Sequence, residues 1–165
     1  MIFATVGTHE DPFDRLCGEL ERLVHSGELT EAVHLQSGYS KQATPSCTTA
    51  AMMPFDLVQT KMSEARVVVT HGGPASIMQA LALGKVPVVV PRQARFGEHV
   101  DDHQVRFVQR IADRVLVVLD IAELGAALRD HADRVRHLGA NVGGPERARA
   151  FAQRLDELCA GLLGR

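Results

Sequence analysis

Three consecutive valines, Val67-Val68-Val69, run through Thr70 and His71 into the pair Gly72-Gly73, and Pro74-Ala75-Ser76-Ile77-Met78-Gln79-Ala80-Leu81 follows directly. A β-branched run with no polar alternation has to be buried on both faces, which is the situation of a central strand in a parallel sheet. Pro74 suits the first turn of a helix, so Gly72-Gly73 reads as a tight strand-to-helix turn. The start of a helix carries unpaired backbone N–H groups and roughly half a positive charge. An anion, typically a phosphate, fits there. The same turn also serves as a plain connection with no ligand.

The alternation continues along the chain. Strand patterns lie at residues 2–6, 32–36, 66–70, 86–91 and 115–119, with a weaker one within 48–53. Helical patterns cover 12–24, 54–64, 74–83, 100–112 and 121–133, and a last one covers 145–163 after the glycine-bearing break at 139–144. Residues 37–47, rich in Gly, Ser, Thr and Pro, read as a loop. In the first helix Phe13, Leu16, Cys17, Leu20 and Leu23 share a side. In the last, Ala148, Phe151, Ala152, Leu155, Leu158, Cys159 and Leu162 form a stripe that packs on its own sheet or docks a partner. The expected fold is α/β, a Rossmann-like parallel sheet with helices on both faces, in one domain over residues 1–165.

Composition removes several function classes. A net charge of -2 gives no electrostatic case for nucleic acid, and the arginines of the C-terminal third are interspersed with Asp and Glu. Cys17, Cys47 and Cys159 are widely spaced and form no CxxC pair, so neither a disulfide framework nor a zinc site is indicated and a reducing cytoplasm fits. No apolar run reaches the roughly 18 residues that would span a bilayer. Met1-Ile2-Phe3 enters a strand pattern with no basic leader.

In open parallel sheets ligands bind beyond the carboxyl ends of the strands. Those ends carry Gly7-Thr8-His9, His71-Gly72-Gly73 and residues 91–97. A third glycine and a downstream acidic residue are missing, which argues against a dinucleotide fingerprint, and no GxxxxGK[ST] run marks a P-loop. His99 and His103 stand four apart and would share a helix face. With Asp102 they suggest a hydrolytic metal site, and a solvated helix start is the alternative. Asp101 and Asp102 suit the positive end of a helix, and Gln104 offers both a donor and an acceptor. His9, Glu10 and Asp11 follow the first strand as acid or base candidates, His9 foremost by placement. No nucleophile elbow is present, which disfavours acyl transfer.

Taken together, Val6-Gly7-Thr8 with Pro12-Phe13-Asp14-Arg15-Leu16, then His71-Gly72-Gly73-Pro74-Ala75-Ser76-Ile77, then Gly97-Glu98-His99-Val100-Asp101-Asp102-His103-Gln104 resemble the C-terminal domain of glycosyltransferase family 28. The resemblance is greatest to the family's stand-alone half-enzymes. These are the donor-binding subunits of the lipid-linked GlcNAc transferase and of bacterial exopolysaccharide or capsule transferases. It implies a single GT-B half-domain that binds a UDP-sugar, with no metal and no other cofactor. By the same resemblance the backbone near Phe55 faces uracil, Gly72, Gly73, Ala75 and Ser76 hold the diphosphate, and Gln79 faces the ribose. His103 and Gln104 face the sugar, and Gly7, Thr8, His71, Glu98, His99 and Asp102 complete the donor side. Gln79 stands where related enzymes commonly carry Glu, so its grip on ribose lacks charge assistance. The loop from Gly7 to Pro12 is longer and more polar than the short loop the resemblance implies, a departure that would either alter the acceptor side or bring His9 near the leaving phosphate.

The implied partner is a membrane-associated acceptor-binding subunit with a lipid-linked acceptor. It would recruit this chain to the cytoplasmic face and complete an inverting hexosyl transfer in polysaccharide biosynthesis. Two alternatives stand beside it: a non-catalytic UDP-sugar-binding regulatory or scaffold module, and a metal-dependent hydrolase using His99, Asp102 and His103.

Overall fold

A computed structural model describes residues 1–138 of the chain. The expected last helix and Cys159 lie outside the described residues. Six strands, β1 (Ile2–Thr5), β2 (Val33–Gln36), β3 (Thr48–Ala50), β4 (Val67–His71), β5 (Val88–Val90) and β6 (Leu116–Val117), form one sheet in the order β3-β2-β1-β4-β5-β6. Every pairing is parallel, and Ala4 sits between Leu35 and Val69 in register. Six helices accompany them among the described residues: α1 (Asp14–His25), α2 (Phe55–Glu64), α3 (Pro74–Ala82), α4 (His103–Arg110), α5 (Leu124–Arg129) and α6 (His131–His137).

Strand alternation divides the core in two. Ile2, Ala4, Val67, Val69, Val88 and Val90 face Leu16, Leu20 and Leu23 of α1 and Leu124 and Leu128 of α5. Phe3, Val68 and Val89 face the other way, onto Met62 of α2, Ile77 and Ala80 of α3 and Val108 of α4. Each Val, Leu, Ile, Met or Phe side chain among them, once buried, contributes about 1.5–3 kcal/mol. The valine run of β4 is buried on both faces because helices cover both faces, as its lack of alternation requires.

Two predicted helices are corrected. The pattern at 121–133 is broken into a 3-10 turn (Ile121–Glu123), α5 and α6, with Asp130 at φ -91°, ψ 13° closing one helix and opening the next. The pattern at 100–112 becomes helical only at His103. Asp101 accepts a hydrogen bond from the His103 N–H (2.9 Å) and Asp102 accepts one from the Ala94 N–H (2.8 Å). Both carboxylates thereby fix a loop ahead of α4 rather than extend the helix.

Burial raises the pKa of the Cys17 thiol, and burial together with Glu21 pushes Cys47 to about 11, so neither is a reactive thiolate. No helix among the described residues is long and apolar enough to cross a membrane. The strand order reverses between β1 and β4, and a crevice beyond the carboxyl ends of the strands is the usual ligand site at such a reversal.

Candidate functional site

An open cavity of about 620 Å³ lies at that reversal. The loop after β1 supplies Thr8, His9 and Glu10, the loop after β2 supplies Tyr39, and β4 ends in it at His71. The segment between β5 and α4 supplies His99, His103 and Gln104. Four imidazoles thus meet in one hollow whose lining includes neither Lys nor Arg. A second hollow, beside Leu116, Asp133 and His137, is away from the strand-end loops and the glycine turn.

Neighbouring side chains by themselves account for the absence of a side chain at these glycines. A β-carbon on Gly7 would lie 2.5 Å from His71 Cε1, and one on Gly73 would lie 2.9 Å from His71 Cδ2 and closer still to Nε2. The His71 ring is therefore held between the β1 and β4 loops by the absence of two side chains. Gly7 has a second constraint in its φ of +78°, which L side chains rarely adopt. Gly72 is excluded from carrying a side chain by Gln104, whose Cβ would be 2.8 Å away.

Gln104 is a buried bracket as well as a lining residue. Its Oε1 accepts from the N–H groups of Gly72 (3.1 Å) and Arg92 (3.1 Å), tying the β4 and β5 loops to α4. The carbonyl oxygen is thus committed, and the Nε2 donor is the part that serves the cavity.

Below the loops, the fully buried Arg92 donates to the carbonyl oxygens of Val6, Asp11, Pro12 and Glu98 at 2.9–3.2 Å. One guanidinium therefore pins the β1 loop to the β5 loop. Glu98 is 4 % exposed, and its carboxylate accepts from Arg15 Nε (2.7 Å), Arg15 Nη2 (2.9 Å) and the Gln93 N–H (3.0 Å). Glu98 thus braces the loop, and the Asp102 carboxylate closes it onto the Ala94 N–H.

Thr8, His9, His71, His99, His103 and Gln104 are brought together in the lining of the cavity. The His9 and His99 rings lie 4.8 Å apart, and His103 meets His99 edge-on at 4.4 Å. A shared helix face does not explain the last contact, since His99 precedes α4. The loop folds back to make it. Asp101, not Asp102, orients His103, with Oδ1 2.6 Å from Nδ1. Burial, then the charge of Arg92, pushes His71 down to about 4, and burial, then His103 and His9, lowers His99. Both rings are neutral near pH 7 and can offer a lone pair or an N–H.

Gly73 caps α3 through its backbone alone, and Pro74 takes the first position. Among the described residues the amides of Ala75 and Ser76 have no backbone partner, and Ala75 is exposed. These amides add to the positive end of the α3 dipole. Gln79 sits further along α3 with its Nε2 buried and unpartnered. Phe55, at the start of α2 and 66 % exposed, lies on the same sheet edge outside the cavity lining. Sequence reasoning missed Tyr39 and Arg92. The interruption of an apolar run by a charge in Val88-Val89-Val90-Pro91-Arg92 was the available signal for the second.

No curated protein matches the chain. Among solved structures it is similar to the glycosyltransferase of kitacinnamycin (19 % identity, TM-score 0.58), covering 93 % of this chain and 42 % of that one. It is also similar to CalG4, the calicheamicin glycosyltransferase (17 % identity, TM-score 0.55), covering 93 % of this chain and 41 % of that one. The chain thus spans about two fifths of the length of these structures, and the likeness is one of fold, that of a GT-B half-domain. The model of the glycosyltransferase family 28 C-terminal domain matches residues 1–140, and the chain belongs to that family.

Proposed function

We propose that this chain is the nucleotide-sugar-binding half of a two-chain glycosyltransferase that moves a hexose-type sugar from a UDP-sugar to an acceptor. The observation that carries the reading is the free amino end of α3 beside a polar cavity at the strand-order reversal. With no cation in the cavity lining, a diphosphate is held by the amides of Ala75 and Ser76 and by the helix dipole. Those groups are fixed before the reaction and face the charge that grows on the departing diphosphate, so they stabilise an oxocarbenium-like transition state electrostatically. Gln104 Nε2 and the His103 ring reach the sugar. Neutral His71 presents no charge to the site near pH 7.

The acceptor belongs to a second, membrane-associated subunit that brings this chain to the cytoplasmic face, and a lipid-linked saccharide fits that arrangement. The base for the acceptor hydroxyl comes from that subunit, or from His9 at the cavity rim. Support comes from family membership and from the fold shared with solved glycosyltransferases.

Calorimetric titration of the chain with UDP and a panel of UDP-sugars tests the donor site, with Ala75→Asp as the discriminating variant. A carboxylate in the first turn suits the helix dipole, so the fold keeps its stability. The same charge opposes a diphosphate, so UDP affinity falls at least about tenfold, or about 1.4 kcal/mol. A wild-type chain that binds no UDP-sugar sinks the reading.

A further inference from the structure

We propose that His99, Asp101 and His103 form a binding site for a borderline-soft divalent transition ion, Zn²⁺ being the natural probe, on the rim of the donor cavity. One ligand atom from each of the three lies within 4.8 Å of the other two. His103 Nδ1 and Asp101 Oδ1 are 2.6 Å apart, and the His99 and His103 rings meet edge-on at 4.4 Å. A tetrahedral zinc with bonds of about 2.0–2.1 Å needs its ligand atoms about 3.3 Å apart. Asp101 and His103 are half exposed and His99 is partly so, and rotamer changes in such side chains cover the difference.

Two imidazoles and one carboxylate match the donor preference of zinc and its neighbours, whereas magnesium prefers an all-oxygen shell. Three protein ligands also leave one position open, toward a cavity that His99 and His103 themselves line. The His9 ring, 4.8 Å from that of His99, borders this position from the β1 loop. An ion here takes up the His103 ring beside Gln104 and fills the sugar end of the hollow. Zinc therefore acts against donor binding and is not a cofactor of transfer. The site stands on its own geometry, and only the competition rests on the donor reading above.

The test is calorimetric titration of the chelator-treated full chain with ZnCl₂ and, separately, MgCl₂, then with UDP-sugar in the presence and absence of saturating zinc. One zinc per chain and no heat from magnesium are expected. His99→Ala, His103→Ala and Asp101→Asn should each weaken zinc binding at least about tenfold, while His25→Ala, an exposed histidine on α1, leaves it unchanged. These are surface changes, and circular dichroism confirms that each variant is folded. No zinc heat, or zinc affinity equal in the His99→Ala/His103→Ala double variant and the wild type, overturns the site. Zinc binding without any UDP-sugar binding keeps the site and removes the donor reading. Unaltered UDP-sugar affinity under saturating zinc overturns the competition.

Discussion

The imidazole of His71 occupies the space that a side chain on Gly73 would need, with Cδ2 2.9 Å from the β-carbon an alanine would bring. Gly73→Ala therefore forces the ring or the turn to move, at the roughly 1–3 kcal/mol typical of overpacking. In a His71→Ala background the same substitution should cost less than about 1 kcal/mol, because the obstacle is gone. Urea unfolding of the four proteins of this cycle measures the coupling. Gly7→Ala differs, since its φ of +78° remains strained whatever stands at position 71. Full rescue of Gly7→Ala by His71→Ala would contradict that distinction.

Gln104 separates a structural role from a binding role within one side chain. Gln104→Leu leaves the amides of Gly72 and Arg92 buried without an acceptor, at about 1–3 kcal/mol each. Gln104→Glu keeps an acceptor for both amides and replaces the Nε2 donor with an oxygen. The expected outcome is a larger loss of stability for the leucine variant and a loss of UDP-sugar affinity for the glutamate variant. Equal UDP-sugar affinity in wild type and Gln104→Glu would take the side chain out of the donor site.

The sheet was legible because burial on both faces writes itself as valine runs, and because Gly7, Gly84 and Gly97 have the positive φ values expected of turns. The site was legible as a set of loops but not as a set of roles. Gly72 and Gly73 stand against Gln104 and His71, neighbours the sequence does not disclose, since a missing side chain does not say what fills its place. The brace of Glu98 was not legible, because its partner Arg15 lies 83 residues away in sequence, a pairing no local pattern discloses. The break at Asp130 escaped notice because apolar spacing continues across it.

The Arg15–Glu98 pair yields a third prediction. Both side chains are largely buried, at 13 % and 5 % exposure, and Glu98 also accepts from the Gln93 amide. Glu98→Ala strands a buried guanidinium and should cost about 3–5 kcal/mol, whereas Arg15→Met/Glu98→Met, which removes both charges, should cost clearly less. Thermal unfolding reads the difference, and UDP-sugar titration of the double variant shows whether the brace alone mattered. A Glu98→Ala protein of wild-type stability that has lost donor affinity would place Glu98 in the binding set and not in the brace.

His71 gives the chain a pH dependence whose sign follows from linkage. Burial first, then the Arg92 charge, lowers its pKa from an ordinary value near 6.5 to about 4 in the fold. Between these values the unfolded chain takes up a proton that the folded chain refuses, so stability falls as pH drops from about 6.5 to about 4. Above that window both states are neutral at this residue and its full contribution is present; below it the loss levels off at about 3 kcal/mol. His131, partly buried and with Nε2 donating to Val86 O (2.8 Å), also has a lowered pKa and adds a loss of the same sign. The comparison that isolates His71 is therefore wild type against His71→Asn, each unfolded in urea at pH 7.5 and pH 4.5. The acid-induced loss should be smaller in the variant, and the His71 ring resonance should titrate well below pH 6 by NMR. A His71 resonance titrating near pH 6.5 would mean that the ring is not held between Gly7 and Gly73.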